Sequence, residues 1–356
     1  MVYEMEKRLR ITKFVKNGKY LYFLIENISI LGRVDIFDGT TDYFLDTPEK
    51  IVGKPAYYFQ LFENKGLIYI IENSGKFIYQ YNPEKEKFIE LLYDENNTEK
   101  SETCAGIING EEISWVLRDG RCIKWNVDKN SLTTIRLNME HVAWVCGEGD
   151  NIWLLNYESD TLYYKNLNED GLLSKCMDLK NIKDLLCSNT SFPIHGMCMY
   201  DGRIYIHDVN RIYEIDVLNK NLKLIHEDMD KDSGARILPL ADKIVVPSFY
   251  GNKIKVISIN GELLDTYKAP VSIRKDHDGN SVFGQFYVDE KCIVMPATED
   301  DKVFFFDRNS MEFNCIKLIN DNNKIKIVNH KIAYMVGQLT ETSNYNLNCF
   351  LEGISV

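Results

Sequence analysis

One apolar hairpin recurs down this chain at a near-constant interval, and no other feature limits the possible folds so strongly. Its first arm reads "KYLYFLIEN" from residue 19, "GLIYIIENSG" from 66, "EISWVLRDG" from 112 and "NIWLLNYESD" from 151. It returns as "RIYIHDV" from 203, "KIVVPSFYGN" from 243, "KCIVMPATEDD" from 291 and "KIAYMVGQL" from 331. One apolar position carried through the series falls at Leu21, Ile68, Ile113, Ile152, Ile204, Ile244, Ile293 and Ile332. A second run follows most of these arms ("FIYQYNP", "RCIKWNV", "RIYEIDV", "KVFFFDR"), a shorter third follows that, and a further apolar run precedes each first arm.

Each period of roughly 44 residues thus holds about four strands, A to D, joined by short turns. Helical periodicity is confined to "NIKDLLCSN" at 181–189. Four antiparallel strands repeating every 40 to 50 residues define a propeller blade, whereas solenoid coils repeat faster. A single blade cannot cover both of its faces, so neighbours must stack and the ring must close. The expectation is an all-β protein forming a single β-propeller domain over 1–356, with eight blades favoured and seven as the alternative. The last repeat lacks a D strand, and "VYEMEKR" near the N-terminus is expected to supply it and close the ring.

Over essentially its whole length the chain resembles the β-propeller superfamily. "PIHGMCMYDGRIYI" and "GDNIWLLN" resemble blades of NHL and streptogramin-lyase propellers, in which a Gly turn precedes an aromatic strand. That likeness implies a fold and carries no particular activity. WD dipeptides, double-Gly kelch patterns and Asp boxes are absent from the sequence.

A formal charge of −11 disfavours nucleic acid and anionic membranes as partners, because both are held by Lys and Arg. The longest apolar run near the N-terminus, "YLYFLI", is too short for a signal peptide or a membrane span. Nine cysteines, odd in number and without a CxxC pair, suit reduced thiols and a cytoplasmic setting.

Loop length points to where chemistry could sit. The A-to-B and C-to-D turns are short throughout. The D-to-A connections run to "DTPEKIVGKPA" (46–56), "DENNTEKSET" (94–103), "NIKDLLCSNTSFP" (181–193), "EDMDKDSGA" (227–235) and "SIRKDHDGNSVF" (272–283). The face carrying these loops is the expected binding surface. Around it the spacing sets His141 and His195 at the start of A strands, with Arg236, Trp144 and Gln285 placed comparably. Tyr57, Tyr58 and His277 are further ligand-binding candidates. Each has a simpler structural role available: a hydrogen-bonded spacer for a histidine, a loop carboxylate partner for Arg236, interblade packing for Trp144.

Asp228, Asp230 and Asp232 before Gly234 imitate a calcium loop, but Gly falls seventh rather than sixth and Pro239 takes the twelfth position. A solvated acidic turn is expected there, and no metal or cofactor. Nucleophile elbows, phosphate loops and dinucleotide fingerprints are missing from the sequence. The favoured reading is a binding scaffold for a protein or a small polar ligand, with no nucleic acid and no membrane. The alternative is a lyase or hydrolase in which His141 or His195 is the general base and Arg236 stabilises an oxyanion.

Overall fold

The computed structural model describes residues 11–25, 30–44, 58–73, 77–92, 103–156, 161–179, 194, 196–208, 211–227, 237–248, 252–270, 283, 286–288, 291–297, 302–320 and 324. The 28 elements with described bounds are all strands, and they form seven four-stranded antiparallel sheets. In every sheet the strand order is the chain order, so the A-to-D repeat is realised blade by blade. The chain divides into two compact units, Met1–Thr98 with Phe283–Val356, and Glu99–Val282.

The first unit holds three blades. Blade 1 is β1 (Ile11–Asn17), β2 (Tyr20–Ile25), β3 (Leu31–Asp35) and β4 (Thr41–Phe44). Blade 2 is β5 (Tyr58–Asn64), β6 (Leu67–Glu72), β7 (Phe77–Asn82) and β8 (Lys87–Leu92). Blade 7 is β25 (Tyr287–Val288), β26 (Cys292–Pro296), β27 (Lys302–Asp307) and β28 (Phe313–Lys317).

The second unit holds four. Blade 3 comprises β9 (Thr103–Asn109), β10 (Glu112–Leu117), β11 (Arg121–Asn126) and β12 (Ser131–Arg136). Blade 4 comprises β13 (Val142–Glu148), β14 (Asn151–Asn156), β15 (Thr161–Asn166) and β16 (Ser174–Asp178). Blade 5 comprises β17 (Gly196–Tyr200), β18 (Arg203–His207), β19 (Arg211–Asp216) and β20 (Asn221–Glu227). Blade 6 comprises β21 (Leu238–Pro239), β22 (Lys243–Pro247), β23 (Lys253–Ser258) and β24 (Leu263–Lys268).

The B strands read as unbroken apolar runs because both of their faces are covered. Successive residues point to opposite neighbours, as the period of two requires. In β2, Leu21, Phe23 and Ile25 join a core with Val294 and Val303 of blade 7, while Tyr22 and Leu24 join one with Leu61, Ile68 and Ile70 of blade 2. In β18, Ile204 and Ile206 pack with Trp153 and Leu155 of blade 4, and Tyr205 packs with Ile244 and Val246 of blade 6. Each such side chain, buried to a few per cent exposure, contributes about 1.5–3 kcal/mol. Most D strands are largely exposed, as in β12 and β24.

Seven blades, the second of the two expected counts, replace the favoured eight among the described residues. The reason is packing: Val294, Val303 and Leu318 of blade 7 share one core with Ile11, Phe14 and Leu21 of blade 1, so blades 7 and 1 are direct neighbours. The recurrent run from 331 and the N-terminal residues expected to close the ring lie outside the described residues.

Turn chemistry fixes the register. The two-residue A-to-B turns of blades 2 and 5 place Lys65–Gly66 and Asp201–Gly202 at positive φ, the backbone of a hairpin turn matched to strand twist. At every C-to-D corner the last residue of strand C turns its side chain back onto the chain. Asp35, Asn82, Asn126, Asn166, Asp216 and Asp307 accept backbone N–H groups through Oδ1, and Ser258 accepts one through Oγ. Four residues on from five of them stands a left-handed residue: Gly39, Glu86, Asn130, Lys220 and Met311.

Candidate functional site

The two ends of the blades are built differently. At the end carrying the A-to-B and C-to-D turns, polar groups are consumed in holding neighbouring blades. The Arg33 guanidinium sits 4.9 Å from the Tyr20 ring centroid and 5.1 Å from that of Phe44. It pairs with Asp42 at 3.3 Å and with Glu86 of blade 2 at 2.9 Å. In the second unit Lys124 pairs with Glu112 at 2.7 Å and with Asp150 of blade 4 at 3.2 Å. Burial works against the Lys124 charge, but the bonds to Glu112 and Asp150 outweigh it and raise its pKa.

At the opposite end, B strands finish, A strands begin, and the B-to-C and D-to-A connections leave the sheet. The outermost A–B pairs there are Ile11–Ile25, Tyr58–Glu72, Thr103–Leu117, Val142–Asn156 and Gly196–His207. Blades 1 and 3 end strand B in an aliphatic residue, as a buried position demands. Blades 2, 4 and 5 end it in Glu72, Asn156 and His207 at the same register. In the first unit Glu72 is 4% exposed; in the second, His207 is 2%, Asp208 5% and Ser248 1% exposed. Burying such groups is costly unless they are bonded, and Asp208 is one that is: its Oδ1 accepts the Arg211 N–H at 2.6 Å, closing the B-to-C turn of blade 5.

The same end carries a repeated irregularity. In blades 1 to 4 the register between strands A and B shifts after the first pair, between Ile11 and Lys13, Tyr58 and Gln60, Thr103 and Ala105, and Val142 and Trp144. β-Bulges of this kind bend a strand and re-aim its side chains, and they concentrate beside functional sites. One bulged residue, Cys104, donates its thiol to the Val142 carbonyl of blade 4 at 3.1 Å.

Blade 5 lacks the bulge and uses a glycine instead. The His207 ring lies against Gly196, so close that a Cβ on Gly196 would stand 2.3 Å from Nε2. Sequence reasoning missed this pair, although a polar His in a run otherwise filled by Ile and Tyr was the available signal.

Of the residues expected from sequence, His141 is exposed and sits with φ 57° immediately before β13. Val142 beside it donates its N–H to the Arg118 carbonyl of blade 3 at 2.9 Å. Trp144 is half-buried, and its indole N–H donates to the Ile194 carbonyl at 3.0 Å, tying β13 to the segment leading into β17. The indole therefore packs between blades 4 and 5. Tyr58 opens β5 opposite Glu72. Tyr57, His195, Arg236, His277, Gln285, Asp228, Asp230 and Asp232 lie outside the described residues. Among the described residues no group of three His, Cys, Asp or Glu could hold a metal ion. Burial pushes the Cys122 and Cys198 thiols up to about 12 and Cys146 well above its usual value, which keeps all three protonated at neutral pH.

No family model and no curated protein matches the chain. Among solved structures it is similar to the crystal structure of the computationally designed Ika8 protein, with a TM-score of 0.58. The two are 12% identical, and the alignment covers 87% of this chain and 88% of that one. At that identity the likeness speaks for the fold alone. The sequence repeat and the seven four-stranded sheets give this chain a β-propeller fold. No described helix is long and apolar enough to cross a membrane.

Proposed function

We propose that the protein is a cytoplasmic binding scaffold that takes a protein or a small polar ligand at the blade ends carrying the D-to-A connections. The observation that carries this reading is the buried polar side chains at those blade ends, Glu72 in the first unit and, in the second, Thr103, His207, Asp208 and Ser248. A purely structural end would close over aliphatic residues, as Ile25 and Leu117 do. Rigid strands beneath long loops preorganise a recognition surface, so little ordering cost is left for the binding step. The described cysteines are free thiols, in keeping with a reducing compartment. The catalytic alternative has less support, because His141, the one described residue of its set, stands exposed on a turn and Trp144 is engaged with the Ile194 carbonyl.

The test is position-specific photocrosslinking in cells. A photoreactive residue at position 141 reports on the loop end, and one at position 130 on the C-to-D corners. Covalent adducts from 141 and none from 130 are expected for a macromolecular ligand. A thermal-shift screen against metal ions and sugars covers the small ones. Adducts formed only from position 130, with a silent screen, would end this reading.

A further inference from the structure

The chain leaves β28 and does not turn away from the first unit. Leu318 is buried in the core shared by blades 7 and 1. Ile319 then makes a parallel bridge with Thr40, the residue before β4, the outer strand of blade 1. The Ile319 N–H donates to the Gly39 carbonyl at 2.8 Å, and the Thr41 N–H donates to the Ile319 carbonyl at 2.9 Å. The Thr41 hydroxyl lies 2.8 Å from that same carbonyl and 2.7 Å from Asn320 Oδ1. The Tyr43 hydroxyl donates to the same Asn320 oxygen, and Lys324 pairs with Asp42. The crossing is tight: a Cβ on Gly39, whose φ is 79°, would stand 2.2 Å from the Lys317 carbonyl oxygen.

We infer that Leu318–Asn320 is a strap, a fifth strand on the edge of blade 1 that locks blade 7 against it. Two features set this junction apart. A four-residue outer strand such as β4 has little ladder of its own, and the residue before it, Thr40, carries the parallel bridge seen among the described residues. Its polar side chains are also committed to the strap. Thr41 and Tyr43 are 5% and 2% exposed, and both hydroxyls converge on one carboxamide oxygen. An edge strand left bare would offer its N–H and C=O groups to foreign strands. The strap therefore both joins two blades and seals that edge.

The experiment is amide hydrogen exchange on the full chain, read at Ile319 and Thr41. Strong protection at both amides is expected in the parent protein. In Asn320→Ala, which removes the acceptor of the buried Tyr43 hydroxyl and one of two acceptors near that of Thr41, exchange at both amides should rise roughly tenfold or more, and protection in β1 and β25 should fall with it. Asn314→Ala, on the exposed outer strand β28, should change none of these. Unprotected exchange at Ile319 and Thr41 in the parent protein would overturn the strap, whatever the variants do. So would an Asn320→Ala protein with parental exchange at both. A loosening confined to Thr41, with β1 and β25 unaltered, would reduce the segment to an edge cover and refute the lock.

Discussion

The imidazole of His207 occupies the space that a side chain on Gly196 would fill, across the first A–B pair of blade 5. Gly196→Ala should therefore destabilise the protein by about 1–3 kcal/mol, the usual range for overpacking. The double variant Gly196→Ala/His207→Ala should recover part of that loss, because the two positions share one volume and their effects cannot add. Denaturant midpoints of the two single variants and the double variant measure the coupling. Strict additivity would mean that the ring is free to move aside.

The C-to-D corners yield a second expectation. Asn82 Oδ1 accepts the N–H groups of Glu84 and Lys85 at 3.0 and 3.1 Å. Asn82→Ala leaves both without that acceptor and should cost about 1 kcal/mol. Lys220 in the blade 5 corner has φ 52°, where a Cβ is disfavoured. Lys220→Gly should therefore be neutral or stabilising, against the ordinary penalty for glycine. Thermal melts of both variants decide the point, and a clear loss in Lys220→Gly would contradict it.

Much of this architecture was legible in the sequence. The blades showed because strand B is covered on both faces, so Leu21 to Ile25 and Ile204 to Ile206 read as uninterrupted apolar runs. Even the corner residues are visible in retrospect, since "YNP", "WNV", "KNL", "IDV" and "FDR" each close a strand C. The blade count was not legible. The run from 331 follows the same pattern as its predecessors, and it takes contacts such as the packing of Val294 and Val303 on Phe14 and Phe23 to make blades 7 and 1 neighbours. His207 was hidden for a related reason: its meaning depends on which residue of strand A lies opposite, and register is a property of pairing rather than of periodicity. Trp144 lies near the start of the A strand β13, and its indole is engaged between blades.

Acid should weaken the corners built on aspartate. The backbone N–H of Asn219, aided by its side chain, holds the Asp216 carboxyl below its usual pKa, and the N–H groups of Ser310 and Asn309 do the same for Asp307. A depressed folded pKa means that the unfolded chain binds protons first as pH falls. The stabilisation is complete above the ordinary carboxylate value of about 3.9 and is lost as pH drops through the folded values. Asp216→Asn/Asp307→Asn keeps an acceptor at each corner, as blades 2 to 4 do, and cannot titrate. Its stability should fall less steeply than the parent's below about pH 4. Parallel acid limbs would show that these carboxylates contribute nothing to the pH dependence.

Lys124 offers the sharpest test of how blades 3 and 4 are joined. Its ammonium is nearly buried between Glu112 and Asp150, whereas each carboxylate keeps over a quarter of its side-chain surface in water. Lys124→Met preserves the packing of the stem and removes the charge, leaving two acidic groups without the cation they share. Because water still reaches both, the cost should be about 2 kcal/mol, below the 3–5 typical of a fully buried pair. Adding Glu112→Gln should return part of it, since the excess negative charge is then smaller. A salt titration separates the contributions: the parent should lose stability with added salt as the pairs are screened, and the Met variant should gain as its residual repulsion is screened. Equal stability of parent and Lys124→Met at low salt would mean that the Lys124 ion pairs contribute nothing net to this junction.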